Sequence, residues 1–233
     1  MILGAWSEPV SELVTYISLG HRCEVAWQIR HWTGQEQSYP WDWLVSSLSG
    51  CTAMIEDDFV HLHDEDLLKV VAYGSGSGWS VLNTRYNVLL HHQFDRDRDG
   101  KIIEGWRHQI KDARSKFAHL RLRWRSLLES EGHLCFIRRF GNLEMPSEQG
   151  AATSCDDYLK VIDVIKRRAP RAKISLALGD CRDLPASSHM LPFSVGRATS
   201  EDWPDPKHIW RGRSSSYQKL FREMLPPFLT RHS

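Results

Sequence analysis

Short apolar segments alternate with amphipathic segments over the second half of the chain, and this alternation constrains the fold more than any other feature. It predicts strands at 134–138, 173–178 and 208–211 and helices at 156–168 and 216–225. Strands that alternate with helices are typical of βαβ units, in which the strands are parallel and the helices cover the sheet. We therefore predict an α/β fold with a mostly parallel central sheet and helices on both faces.

A cysteine lies at the first connection between a strand and a helix. The sequence predicts a strand at 14–19 and, after a glycine turn, a helix at 22–32 that begins close to Cys23. Unpaired N–H groups and the helix dipole favour a thiolate at a helix N-terminus, so Cys23 is the candidate nucleophile. The alternative is a small buried residue that packs the helix on the sheet. The turn supplies the candidate oxyanion donors and substrate-binding residues: Gly20, His21 and Arg22.

A cysteine nucleophile requires a base. A strand predicted at 86–92 ends at His92. Four residues thus each follow a predicted strand and are expected to line the sheet edge where α/β folds bind ligands: Cys23, His92, Arg138 and Gly179. His92 is the candidate base, while His91 would face the other side of an extended strand. Arg138 is a candidate clamp for a substrate carboxylate or phosphate, or else pairs with a surface acid.

Asp42 is the candidate acid that orients the base. It lies in a loop at 38–43, between two tryptophans and before a helix predicted at 44–56. A buried carboxylate requires a partner, so Asp42 either orients the histidine or forms the N-cap of that helix. The neighbouring aromatic residues are candidates for the wall of a pocket, or pack against the sheet: Tyr39, Trp41 and Trp43.

Three segments carry a resemblance to a known family: Ser18-Leu19-Gly20 with Cys23 and Ala26, Tyr39-Pro40-Trp41-Asp42-Trp43, and His92-Gln93-Phe94 followed by Phe136-Ile137-Arg138. They resemble a bacterial family of unknown function whose members are labelled papain-like cysteine peptidases. The chain departs from that pattern at Trp41, usually phenylalanine, and at Gln93, usually aspartate. The resemblance implies a cysteine-dependent hydrolase or acyltransferase with Cys23, His92 and Asp42 as catalytic residues. It also implies a papain-like α+β fold as the alternative to α/β.

Two other functions fit parts of the sequence. Esterases of the Gly-Asp-Ser-Leu type have a nucleophile after the first strand and an Asp-x-x-His motif near the C-terminus. The chain has that order, with Cys23 in place of serine and with Asp205 and His208 in the motif. The ten tryptophans suggest instead a non-catalytic protein that binds carbohydrate or nucleotide-sugar, because indole rings stack on sugars and bases.

The composition of the chain limits the kinds of partner and the cellular compartment that we expect for it. A net charge of +1 gives no overall field that favours nucleic acid or a membrane surface. No apolar run approaches the roughly 20 residues of a membrane span, and the first residues do not resemble a signal peptide. The five cysteines are widely spaced, without a C-x-x-C motif, as in a reducing cytoplasm. We expect a cytoplasmic protein with a small-molecule, peptide or acyl substrate.

We expect no metal and no organic cofactor. The segment 95–100 begins like a calcium-binding loop, but Trp106 stands where such a loop needs a bidentate glutamate. We also expect one cysteine-hydrolase-like domain over 1–233, with an irregular insertion around 57–85. An apolar stripe with three- and four-residue spacing predicts a long helix at 103–129.

Overall fold

The structure, a computed structural model, describes residues 14–73, 78–139, 155–180, 190–196 and 198–225. In chain order its strands and α-helices are β1 (Val14–Ser18), α1 (Cys23–Thr33), β2 (Val45–Ser46), α2 (Leu48–Glu56), β3 (Leu68–Tyr73), β4 (Gly78–Asn83), β5 (Val88–Leu89), α3 (Ile110–Leu128), β6 (His133–Arg139), α4 (Cys155–Arg168), β7 (Lys173–Gly179), β8 (Met190–Phe193) and α5 (Ser214–Lys219). The described residues also form three 3-10 helices, at Glu65–Leu67, Trp106–Gln109 and Pro206–Arg211, and a π-helix at Leu220–Met224.

The central sheet is parallel. Its strand order is β1-β6-β7-β8, and every neighbouring pair of strands runs in the same direction. Parallel strands need a crossover between them, and α4 supplies the crossover from β6 to β7. The carboxyl ends of all four strands therefore meet at one edge, and the connection that carries Cys23 leaves β1 at that edge.

Helices cover both faces of the parallel sheet. One core cluster joins Ile17 and Phe136 of the sheet to α2, α3 and α4. The second cluster joins Tyr16 and Ile137 to α1 and α5. Adjacent residues of a strand point to opposite faces, which is why the neighbours Tyr16 and Ile17 belong to different clusters. The predicted α/β class is confirmed, and the parallel sheet separates it from the α+β alternative.

A second sheet is antiparallel, and two of its strands, β3 and β4, lie in the region 57–85 that was predicted to be irregular. Its strand order is β2-β5-β4-β3, and β3 and β4 pair along six residues each. The sequence prediction missed this hairpin because only Leu68 of β3 is buried, so the strand lacks the strong alternation of a half-buried strand. Whether the chain forms a single domain stays a prediction.

The strand predicted at 86–92 is much shorter than expected. Only Val88 and Leu89 pair with other strands, and the amide of Leu90 donates the last hydrogen bond, to the carbonyl of Val81 at 2.8 Å. The chain then leaves the sheet, so His91 and His92 lie in a turn. The expectation that they face opposite sides of an extended strand is therefore wrong.

Three other predicted elements differ in extent or type. The segment 208–211 is part of a 3-10 helix, and the fourth strand of the parallel sheet is β8. The helix predicted at 44–56 begins at Leu48, after Ser47 accepts a hydrogen bond from the Gly50 amide as its N-cap. The long helix is present as α3. None of the helices in the described ranges has the length and apolarity needed to cross a lipid bilayer.

Candidate functional site

The turn between β1 and α1 has an unusual backbone. Gly20 and His21 are consecutive residues with positive φ angles of 72° and 73°. A Cβ on Gly20 would lie 2.3 Å from the Ser46 hydroxyl, so a side chain here would force Ser46 or the turn to shift. The amide of Gly20 donates to the Ser18 hydroxyl at 3.2 Å, and that of His21 to the Ser46 hydroxyl at 3.4 Å. The N–H groups of Gly20 and His21, two of the predicted oxyanion donors, are thus already bonded to serine hydroxyls. The N–H groups that act on the Cys23 thiol belong to later residues of the chain.

Cys23 is the first residue of α1, as predicted. Arg22 precedes the helix in an extended conformation, and its side chain forms no cap. The N–H groups of Cys23 and Glu24 point at the Cys23 sulfur, and together with the Arg22 charge they favour the thiolate. Burial has the larger effect, because it disfavours the charged form and raises the pKa of Cys23 above its ordinary value. The resting side chain is therefore a protonated thiol.

Alkylation of Cys23 by iodoacetamide should follow this raised pKa. We expect the rate to rise tenfold per pH unit and to level off only above the roughly 8.5 of a free thiol, because the thiolate is the reactive form. Arg22→Gln should shift the profile further upward, since Arg22 favours the thiolate. Mass spectrometry would follow each cysteine, with the buried Cys51 and Cys135 as unlabelled internal controls. A profile centred below the free-thiol value would contradict the dominance of burial.

Glu24 holds the N-terminus of α1 in place, a role that no sequence pattern indicated. Its buried carboxylate accepts hydrogen bonds from Arg139 Nη1 at 2.8 Å and from the Tyr217 hydroxyl at 3.0 Å. Arg139 also donates to Asp180 at 3.3 Å, at the end of β7. This network connects the helix of Cys23 to the carboxyl ends of β6 and β7 and to α5.

His91 and His92 follow β5, and both are neutral at pH 7. Burial lowers the pKa of His92, and it lowers the pKa of His91 to about 4, with His92 and Arg96 acting in the same direction on His91. His91 Nδ1 lies 3.0 Å from the Tyr73 hydroxyl and 3.3 Å from Arg96 Nη2. An arginine only donates, so Nδ1 is an acceptor that already has two donors.

His92 has a different environment. Its ring contacts the edge or face of two aromatic neighbours, with centroids 5.6 Å from Trp43 and 4.6 Å from His91. Within the described ranges, no hydrogen bond is made by either of its ring nitrogens. A neutral imidazole with an unoccupied acceptor nitrogen is the form that a general base requires.

Tyr73 contacts His91 and lies within electrostatic range of Cys23, and no sequence pattern indicated this position. Burial raises the pKa of its hydroxyl, Arg96 and Arg22 lower it, and the Cys23 thiolate raises it. The hydroxyl therefore lies within the electrostatic range of both Cys23 and the residues around His91. Tyr73 is the last residue of β3, in the segment predicted to be irregular, so no sequence signal placed it near Cys23.

Asp42 is buried and has the partners that a buried carboxylate needs, but these partners are not histidines. Its carboxylate accepts hydrogen bonds from Arg30 Nη2 at 2.5 Å and from the Tyr39 amide at 3.2 Å. Burial raises its pKa to about 6, against the opposing effect of Arg30. The guanidinium of Arg30 lies 5.3 Å from the ring of Trp43, which contacts His92. In the described part of the chain, the contacts from Asp42 to His92 run through Arg30 and Trp43. The N-cap alternative is wrong because Ser47 caps α2.

The three candidate pocket aromatics have separate roles. Trp41 is fully buried and packs edge-on against Trp124 at 4.7 Å, so it is a core residue rather than a pocket wall. Tyr39 is also buried, and its hydroxyl donates to Gln37 at 3.2 Å. Trp43 is 39% exposed and lines a cavity.

Arg138 is a structural residue and not the predicted substrate clamp. Its side chain is buried, and its guanidinium donates to the carbonyls of Leu19 at 2.5 Å and Ser46 at 2.7 Å. These bonds tie the end of β1 to β2, between the two sheets. The sequence could not show this, because the acceptors are backbone groups far apart in the chain.

The second candidate base pair is not assembled. Asp205 uses both carboxylate oxygens on Lys207, at 3.1 Å to its amide and 2.6 Å to its ammonium group. It thereby caps the 3-10 helix Pro206–Arg211. His208 is joined to Asp205 by a backbone hydrogen bond of 2.9 Å, and no bond between their side chains occurs in the described ranges.

One arginine covers three tryptophans, of which Trp210 is exposed and Trp27 and Trp203 are half-buried. The guanidinium of Arg211 lies 4.9 Å from the ring of Trp27, 5.3 Å from Trp203 and 5.8 Å from Trp210. Indole faces that stack on an arginine are less available to a sugar. The prediction of a carbohydrate-binding protein gains no support from this cluster.

A cavity of about 310 Å³ adjoins His92. Its walls come from the loop before β2, the turn after β5 and one face of α3: Pro40, Trp43, His92, Gln93, Ala113, Lys116, Phe117 and Leu120. As for metals, the described part of the chain contains no cluster of three or more histidine, cysteine or acidic side chains that could hold an ion.

These features define a class of protein: an α/β fold with a cysteine at a helix N-terminus, at the carboxyl edge of a parallel sheet. The chain belongs to the family described as "Putative papain-like cysteine peptidase (DUF1796)", whose model matches residues 14–155. The matched range includes Cys23, Tyr73, His91 and His92 and excludes Asp205 and His208. Searches of curated proteins and of solved structures gave no match. The family description supports a cysteine-dependent hydrolase and nothing more specific.

Proposed function

We propose that the protein is a cysteine-dependent hydrolase or acyltransferase in which Cys23 is the nucleophile. The observation that carries this proposal is the position of Cys23 at the uncapped N-terminus of α1, where two backbone N–H groups point at its sulfur. Such donors stabilise negative charge on an acyl-transfer intermediate as well as on a thiolate. No cofactor takes part in the proposed reaction.

The protonated resting thiol determines the order of the proposed steps. As the sulfur attacks a substrate carbonyl, the thiol proton passes to a neutral histidine, and the carbonyl oxygen becomes an oxyanion near the helix N-terminus. The intermediate collapses, the histidine gives its proton to the departing alcohol or amine, and an acyl-thioester remains on Cys23. Water or another acceptor then releases the acyl group, again with the histidine as base.

His92 is the base in this proposal. Among the residues that the structure describes, none bonds to its ring nitrogens, whereas the acceptor nitrogen of His91 is engaged by Tyr73 and Arg96. His91 and Trp43 flank the His92 ring, so both position it. Asp42 contributes by holding Arg30 against Trp43.

Trapping of an acyl-enzyme tests the proposal. We expect p-nitrophenyl acetate to acetylate the protein, and peptide mapping by mass spectrometry to place the acetyl group on Cys23 as a hydroxylamine-sensitive thioester. His92→Ala should slow acetylation by about 10²-fold or more, the usual contribution of a general base. The matched control His208→Ala should leave the rate unchanged. Acetylation confined to other residues, or none at all, would refute the proposal.

A further inference from the structure

The cavity beside His92 has the size of a site for a single chemical group. Its volume of about 310 Å³ is at the small end of the range for ligand pockets, which begins near 300 Å³. Apolar side chains form most of its surface, namely Trp43, Ala113, Phe117 and Leu120. An aromatic ring or a branched alkyl group fits such walls, because burial of apolar surface is the main attraction they offer.

The polar groups of the cavity are mainly donors. The ammonium group of Lys116 is exposed and forms no ion pair within the described ranges. The amide oxygen of Gln93 lies 2.6 Å from His63 Nε2, and it accepts that N–H because an amide oxygen cannot donate. Gln93 therefore keeps its NH₂ group for another partner. The cavity lining contains no carboxylate, so it complements an anion or another acceptor.

We infer that this cavity binds an apolar group carrying a carboxylate, with the carboxylate at Lys116 and the apolar part against Phe117 and Leu120. The occupant is thus an aryl or branched alkyl carboxylate, as the acyl or leaving group of a substrate. Its role in turnover rests on the proposed function, because His92 belongs both to the cavity and to the proposed reaction. Binding itself requires no chemistry at Cys23.

Calorimetric titration of Cys23→Ser with two matched probes tests the inference. At low ionic strength we expect 3-phenylpropionate to bind about threefold to fivefold more tightly than the neutral 3-phenylpropionamide, as expected for one exposed ion pair. Lys116→Ala should abolish this preference, whereas Lys111→Ala, another exposed lysine of α3, should retain it. Leu120→Glu should weaken both probes, and Leu122→Glu, at a position 59% exposed outside the cavity lining, should weaken neither.

The outcomes separate this inference from the proposed function. Equal affinity for the two probes, or an unchanged preference in Lys116→Ala, would overturn the inference even if Cys23 is acetylated by p-nitrophenyl acetate. Carboxylate binding that depends on Lys116 and Leu120 would support it even if no acyl-enzyme forms. Absence of binding by either probe would also overturn it.

Discussion

Replacing Cys23 with alanine is expected to lower the rate of p-nitrophenyl acetate hydrolysis by about 10³-fold or more, because removal of a nucleophile leaves only the contributions of binding and of oxyanion donors. The protein should remain folded. Cys23 lies at the surface end of α1 and is only partly buried. The thermal midpoint and the near-UV circular dichroism spectrum of Cys23→Ala should therefore match those of the native chain, and the loss should appear in kcat.

Cys51→Ala is the matched control for that prediction. The Cys51 thiol is buried and lies 3.2 Å from the Ser46 hydroxyl and 3.3 Å from the Leu19 carbonyl, so it is a packing residue beside the same turn. We expect this variant to lose stability and to keep its rate per folded molecule. Hydrolysis by Cys23→Ala within a factor of about three of the native rate would remove Cys23 from the mechanism.

Gly20→Ala should lower the free energy of unfolding by roughly 3 kcal/mol. A left-handed conformation costs a residue with a Cβ about 1–2 kcal/mol, and overpacking adds about 1–3 kcal/mol. Both costs apply here, because Gly20 has a φ of 72° and its Cβ would lie 2.3 Å from the Ser46 hydroxyl. Urea denaturation would measure the change.

Gly34→Ala separates the two costs. Gly34 has a similar φ of 69°, but a Cβ there would meet no atom within 4 Å. We expect this control to lose only the conformational part, about 1 kcal/mol. In a double-mutant cycle, Ser46→Ala should recover part of the loss in Gly20→Ala, since it removes the contacting hydroxyl. Equal losses in the free energy of unfolding for Gly20→Ala and Gly34→Ala would show that the Ser46 side chain moves aside without a measurable free-energy cost.

The fourth strand of the parallel sheet, β8, was missed, and 208–211 was predicted in its place. Strands β1, β6 and β7 could be predicted because each is an apolar run next to a helix. The antiparallel sheet could not, because β3 is only partly buried and β5 has two residues. This failure also hid part of the candidate site. Tyr73 ends β3, and the two histidines lie in the turn after β5, so their neighbours depend on pairings with little local signal.

Predictions based on residue type alone also gave several side chains the wrong role. Arg138 and Trp41 have the chemistry of substrate-binding residues, but both are buried in contacts that form only in the folded chain. Asp42 has a partner, as expected for a buried carboxylate, and that partner is Arg30. The identity of the partner depends on the path of the loop after α1, which local sequence patterns do not show. Cys23 was placed correctly at the helix N-terminus because a strand, a glycine turn and a helix are all visible in the sequence.

The raised pKa of Cys23 should slow the oxidation of its thiol by hydrogen peroxide. Hydrogen peroxide reacts with thiolates and scarcely with thiols. A cysteine that remains protonated at neutral pH is therefore oxidised slowly to sulfenic acid, and the higher, irreversible oxidation states are reached more slowly still. The burial that keeps the proposed nucleophile protonated would thus also preserve it in a cell exposed to peroxide.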